Sequence, residues 1–363
     1  MHPLHTLPRL SILDQSPISE GSTGVDALRN TIDLARLADR LGYHRYWVSE
    51  HHGTPMLAGP SPEALIGPIA AATSHLRVGS GGVMLPHYSP FKVAETFSLL
   101  AGLFPERIDL AVGRASGTDP TTAFALQRDR RHAMPDDFPQ QLAELLAYLS
   151  DTLPSHHPFA RLPATLPGLP ELPVPWLLGS SPQSGIWAAE LGLPYAFADF
   201  ISPDGVEIMA RYRETFVASR WSPEPRSIVA LWVVCAETDE EARRIASSAT
   251  MSFSLLQRGE LIPVPPIERA LAFLAEQPPR SGIQHRSRRR IVGSPATVRS
   301  GIEAVAAEYG ADEVMLVTIT WDHAHRRRSY ELIADAFDLP HREPVATMAV
   351  SEDDSLRTPL VGS

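Results

Sequence analysis

Short runs of apolar residues alternate with longer amphipathic stretches along almost the whole chain. Strand-like runs fall at residues 10–13, 45–49, 76–84, 108–112, 174–178, 195–198, 228–235 and 313–318. Between them the spacing of apolar positions predicts helices over 25–41, 62–73, 91–103, 137–149 and 182–191. Further helices are predicted over 203–219, 239–254, 294–309 and 324–337. In the first of these, Leu28, Ile32, Ala35 and Leu41 fall near one face, and Gly42 follows as a C-terminal cap. Near the other end, Ser294 is placed as an N-cap with Pro295 at the first helical position. Regular alternation of strand and helix implies parallel strands joined by right-handed crossovers. Eight such units suit a closed (β/α)₈ TIM barrel better than an open sheet.

Three stretches depart from the repeat. Residues 116–135 form a polar insertion after the fourth strand, and 152–175 are a proline-rich crossing rather than a helix. Residues 257–290 are the longest irregular region, read as a long mobile loop before the last helix–strand unit, and they end in a run of arginines beginning at Arg286. The reading therefore places one barrel domain over 8–338 and a polar C-terminal tail over 339–363.

Charge and composition narrow the partners. A formal charge of −10 argues against nucleic acid or an anionic membrane surface. No signal peptide and no apolar window of the roughly 18–20 residues that a membrane span needs are evident, so the expected compartment is the cytoplasm. The single cysteine, Cys235, excludes an intrachain disulfide and sits in an apolar run, as a core residue does. Lys92 is the only lysine, which removes most candidates for Schiff-base chemistry.

In a parallel barrel the working residues stand at the C-terminal ends of strands. The second strand ends in Ser49-Glu50-His51-His52. No spaced third ligand accompanies the histidine pair, so no metal site is expected. Either His51 takes an acid–base or oxyanion-stabilising role, or the pair merely satisfies the barrel mouth and solvent. The third strand carries Gly79, Gly81 and Gly82, which mark a tight barrel interior or a planar ring lying against the strand. The fourth ends in Gly113-Arg114, whose guanidinium fork suits a phosphate unless a neighbouring carboxylate takes it. The fifth ends in Gly179-Ser180-Ser181-Pro182-Gln183-Ser184 and feeds a helix. Free N–H groups at that helix start attract an anion, and the hydroxyls of Ser181 and Ser184 are read as further donors. No phosphate loop or dinucleotide fingerprint follows a strand, which weakens ATP-dependent and Rossmann readings.

Together, Tyr46–Val48 with Ser49-Glu50-His51-His52, Gly79–Pro86, Gly113-Arg114, Gly179-Ser180-Ser181 with Trp187-Ala188-Ala189-Glu190, and Val292–Pro295 resemble the luciferase-like flavin monooxygenases in the same order. The opening Leu10-Ser11-Ile12-Leu13-Asp14-Gln15-Ser16-Pro17 is similar to the MsnO8-like subgroup. The resemblance implies a barrel that binds reduced FMN delivered by a separate NAD(P)H-dependent flavin reductase, and that uses O₂ to oxidise a small organic substrate. It implies a homodimer, a cis peptide at Gly81–Gly82 beneath the flavin ring, Arg114, Ser180, Ser181 and Ser184 around the FMN phosphate, and His51 in catalysis. It further implies that residues 257–290 are the loop that closes over the site. Luciferase itself has a reactive cysteine where this chain has Gly113 and a glutamate where it has Ser180, so neither light emission nor an aldehyde substrate is implied. Two other readings remain open: a deazaflavin (F420)-dependent dehydrogenase or reductase on the same barrel, and a flavin-binding protein without turnover.

Overall fold

A computed structural model describes residues 7–114, 118–127, 130–131, 137–277 and 289–343. Nine strands are present among them: β1 (Arg9–Asp14), β2 (Arg45–Val48), β3 (Arg77–Met84), β4 (Ile108–Gly113), β5 (Val174–Gly179), β6 (Tyr195–Ala198), β7 (Ser227–Cys235), β8 (Arg290–Gly293) and β9 (Glu313–Val317). Eleven α-helices accompany them: α1 (Gly24–Arg40), α2 (Pro62–Ala71), α3 (Pro90–Leu103), α4 (Pro120–Leu126), α5 (Phe138–Ser150), α6 (Pro182–Glu190), α7 (Val206–Glu214), α8 (Asp239–Leu256), α9 (Ile267–Ala275), α10 (Pro295–Tyr309) and α11 (His323–Ala336). Strands β1 to β7 pair in chain order, all parallel, and β9 closes the ring between β7 and β1. The expected TIM barrel is the fold.

Side-chain parity explains how each strand serves two cores. In β7, Val229, Leu231, Val233 and Cys235 face the helices, whereas Ile228, Ala230 and Trp232 fill the barrel interior. The Cys235 thiol is buried as expected, and burial pushes its pKa up to about 12. Helix α1 starts with a reciprocal capping box, in which Thr23 Oγ1 accepts from Asp26 N–H and Asp26 accepts from Thr23 N–H, both at 3.2 Å. It ends at Gly42, whose φ of +84° is the left-handed turn that glycine favours. Ser294 is the residue before α10, with Pro295 first in the helix, although its hydroxyl makes no capping bond.

Several expectations need correction. Residues 257–290 are not structureless: they contain α9, and β8 begins at Arg290. Strand β8 adds to β7 beyond the ring, because Ile228–Trp232 pair with β9 while Trp232–Cys235 pair with β8. The helix expected over 203–219 is only α7, because the following chain is drawn away by bonds such as Val217 N–H to Ala189 O at 2.9 Å. The polar insertion after β4 contains α4, capped by Asp119 accepting from Thr121 and Thr122 N–H. By contrast 152–175 hold no α-helix, only a single 3₁₀ turn, Pro163–Thr165, before β5 begins at Val174. Ser116, the arginines from Arg286 to Arg288, and the tail from residue 344 onward lie outside the described residues. No helix among the described residues is long and apolar enough to cross a membrane.

The floor of the barrel is charged. Arg45 is bonded to Glu313 at 2.9 Å and to Asp109 at 2.7 Å, and Arg77 reaches Asp109 at 2.7 Å. Burial alone would raise the Asp109 carboxyl, but the Arg45 and Arg77 guanidiniums outweigh it and hold the pKa below the ordinary range. Above this layer Trp47 and Trp176 meet edge to face, 5.5 Å between ring centroids. Above the tryptophans the barrel opens.

Candidate active site

The opening is a cavity of about 370 Å³ at the C-terminal ends of the strands. That size and place are those of a small-molecule site in this architecture. It brings together His51, Gly81, Arg114, Ser180, Ser181 and Ser184, residues drawn from the ends of β2, β3, β4 and β5 and the start of α6. Gly82 is not in the lining, so its contribution is to the backbone.

One end of the cavity is built for an anion. Ser181 stands immediately before α6 in an extended conformation and makes no capping bond, and Pro182 occupies the first helical position. The helix start therefore presents its N–H groups and the Ser181 hydroxyl toward the cavity. Arg114 leaves β4 beside it, its guanidinium 5.8 Å from the centroid of the Trp187 ring on α6. Ser184 differs from expectation. Its hydroxyl donates to Ser181 O at 2.7 Å and pairs with the Tyr195 hydroxyl at 2.9 Å. The side chain is thus committed within the protein, and only its N–H remains part of the helix start.

The floor is β3. The Gly81–Gly82 peptide is cis, as the family resemblance implied, and the pairing of β3 with β4 slips by one residue between Gly81 and Val83. A Cβ at Gly79 would lie 2.5 Å from Asp109 O, and one at Gly81 would lie 2.5 Å from Leu13 Cδ1. Tight barrel packing therefore requires glycine at Gly79. Gly81 meets both demands left open by the sequence, because it is crowded from below and faces the cavity.

The two histidines separate. His51 lines the cavity, with Nδ1 3.0 Å from Ser49 Oγ and its own N–H bonded to Gly59 O at 2.9 Å. Burial, with a smaller contribution from neighbouring His52, lowers the imidazole pKa to about 4. It is accordingly neutral at physiological pH, and its Nε2 has no hydrogen bond among the described residues. His52 instead bonds the buried Glu50 carboxylate at 2.7 Å, which also accepts from Met84 N–H at 2.9 Å and Tyr88 OH at 3.2 Å. Burial raises the Glu50 pKa, and these partners act in the opposite direction. Glu50 thereby ties the end of β2 to the end of β3, a role its place in a histidine motif does not signal. No cluster of metal-ligating side chains occurs among the described residues.

The lining also includes residues to which the sequence assigned no role, among them Gln15, Trp47, Phe200 and Met315. Parity could have found Gln15 and Trp47, which share the inward face of their strands with Leu13 and the β3 glycines. Phe200 follows β6 in a turn with no period to read.

Comparison with known proteins adds to this geometry. The family described as luciferase-like monooxygenase matches residues 9–313. A luciferase-like monooxygenase of Escherichia coli is 39% identical over 90% of this chain and 96% of its own length. An N-acetyl-S-alkylcysteine monooxygenase of Bacillus subtilis is 37% identical over 90% and 98%. The crystal structure of apo-MsnO8 superposes with a TM-score of 0.85 at 43% identity, covering 93% of this chain and all of that one.

Proposed function

The chain belongs to the luciferase-like monooxygenase family, and from that premise we propose that it is the oxygenating component of a two-component monooxygenase that takes reduced FMN from a separate NAD(P)H-dependent flavin reductase. One observation carries this reading: a single cavity joins an anion-binding helix start and Arg114 to an apolar slot floored by Gly81 and bordered by a neutral histidine.

The residues present fit that cofactor. Arg114, the Ser181 hydroxyl and the N–H groups at the start of α6 form a donor set for a phosphate. Ser180 lies beside them on the same turn. Gly81 leaves flat backbone against which a planar ring can rest, and Trp47 and Leu178 supply apolar surface below and beside it. When bound, the reduced flavin supplies the electrons that activate O₂. His51 orients through Ser49 and holds or accepts a proton at Nε2 beside the reacting centre. Phe200 and Met315, both buried, exclude water from the walls beside β6 and β9. The organic substrate is small, and the barrel works as a homodimer.

The test is an anaerobic titration of the purified protein with FMNH₂ in parallel with reduced F420, followed by O₂ consumption with and without an added flavin reductase. Saturable FMNH₂ binding and reductase-dependent O₂ uptake are expected. Tight F420 binding without FMNH₂ affinity would instead assign a hydride-transfer enzyme.

A further inference from the structure

Strand β1 leads into a residue, Gln15, that the proposed flavin site does not use. Its side chains alternate in direction: Ile12 packs outward under the helices, Leu13 turns into the barrel, and Asp14 turns out to Arg326 at 2.5 Å. Gln15 follows with inward parity. The chain then turns sharply away. Ser16 adopts φ of 49°, its N–H donates to Asp14 Oδ1 at 2.7 Å, and its hydroxyl pairs with Thr31 Oγ1 at 2.9 Å. A positive φ is uncommon for a residue other than glycine, so these bonds are what hold the turn. The turn in turn holds Gln15 against the cavity.

Gln15 is 7% exposed and lines that cavity, yet its side-chain amide has no hydrogen bond among the described residues. The amide opens to the cavity instead of being sealed from it, so with no partner among the described residues its donors and acceptor are left to whatever enters that cavity. Its place in the ring indicates which partner. Gln15 extends β1, and β1 lies four strands from β5 in either direction around the eight-stranded ring. It therefore stands across the barrel from Ser181 and the α6 helix start. By strand register Gln15 stands beside Ser49 at the end of β2, with Leu13 and Trp47 below, and the lining on that side has the Glu50 carboxylate but no arginine or lysine. His51, on the adjoining β2 end, is neutral.

Resting on the reading of this cavity as a flavin monooxygenase site, we propose that Gln15 is the specificity contact for the organic substrate, which presents to it an uncharged amide or carbonyl group. A primary amide matches the side chain in both directions, accepting from its NH₂ and donating to its carbonyl. A carboxylate would be left at an end of the cavity that supplies no cation.

The probes are pentanamide, pentanoate and 1-chloropentane, titrated calorimetrically into the full-length protein, both flavin-free and loaded anaerobically with FMNH₂. The wild type is expected to bind pentanamide best. Gln15→Met, which keeps size and loses the hydrogen bonds, is expected to weaken pentanamide about three- to tenfold, as loss of one neutral hydrogen bond does. It is also expected to leave FMNH₂ affinity within twofold. Gln15→Leu serves as a second variant if the first does not fold, with thermal melts recorded for both. An amide preference that survives in either folded variant overturns the proposal, as does tighter binding of pentanoate or no preference in the wild type. A tenfold loss of FMNH₂ affinity with pentanamide unaffected also overturns it, by giving the amide to the flavin. Failure of the flavin reading appears separately, as absent FMNH₂ binding by the wild type.

Discussion

The neutral state of His51 can be measured without knowing the substrate. Burial lowers its pKa from 6.5 to about 4, so in the folded protein it resists a proton that the unfolded chain accepts. A depressed folded-state pKa contributes stability that is fully present above pH 6.5 and is lost as pH falls through about 4. At 1.36 kcal/mol per pKa unit the full shift is worth about 3 kcal/mol, of which about 2 kcal/mol has gone near pH 5. His44 is lowered to about 4 as well, again by burial, so the wild type should lose stability in acid from both groups. The substitution His51→Gln removes one titration and leaves the other. Urea denaturation of both proteins near pH 7.5 and near pH 5 should then show the wild type losing about 2 kcal/mol more than the variant. Equal losses would mean that His51 is not held neutral by burial, and the proton-handling role given to its Nε2 would lose its physical basis.

Two further outcomes probe the anion end. Arg114→Ala should raise the FMNH₂ dissociation constant by about tenfold or more in anaerobic titration, the effect of losing a charged hydrogen-bond partner, and an unchanged constant would place the phosphate elsewhere. Ser181→Ala should weaken FMNH₂ about three- to tenfold, whereas Ser184→Ala should change it by less than about threefold and lower the melting temperature, because the Ser184 hydroxyl serves Ser181 O and Tyr195. Equal effects on flavin affinity would contradict that division.

The barrel was legible because burial on both faces of a parallel strand leaves a continuous apolar run, as in Ile228–Cys235, and because amphipathic helices separate the runs. Strand β8 escaped for the converse reason: Arg-Ile-Val-Gly is four residues long, lies outside the ring and pairs only with the end of β7, so half-buried Val292 and exposed Arg290 carry no strand signal. Residues at strand ends were legible as chemistry but not as geometry. Ser49-Glu50-His51-His52 suggested a site, yet nothing in it distinguishes the histidine that faces the cavity from the one that anchors Glu50. That distinction depends on Met84 and Tyr88, over thirty residues away in the chain. Ser184 is similar, since its hydroxyl is claimed by Tyr195 from the next strand. Gln15 lies within the Leu10–Pro17 family motif, which gives it no role. Its unpaired amide appears only when every neighbour is in place.

The depth of the cavity follows from the charge layer beneath it. Trp47 lines the cavity with its ring, while its indole N–H donates to Asp109 Oδ2 at 3.0 Å. Asp109 is in turn held by Arg45 and Arg77, and Arg45 by Glu313, whose carboxylate also accepts from Ser11 at 2.5 Å. Buried ion pairs of this kind add little net stability, because desolvation consumes most of the attraction. What they do supply here is position. Each charge is bonded to groups from different strands, β1, β2, β3, β4 and β9, so the tryptophan on top of them has one height and one tilt. A wholly apolar layer in the same place would pack as densely and leave the indole free to choose among rotamers. A Cβ added at Gly81 would lie 3.0 Å from Trp47 Cβ and 3.4 Å from Cε3 of its ring, so any slack in the tryptophan would be slack in the cavity floor. The charged bottom of the barrel is therefore part of the site at its top, although no charge of the one touches a ligand of the other.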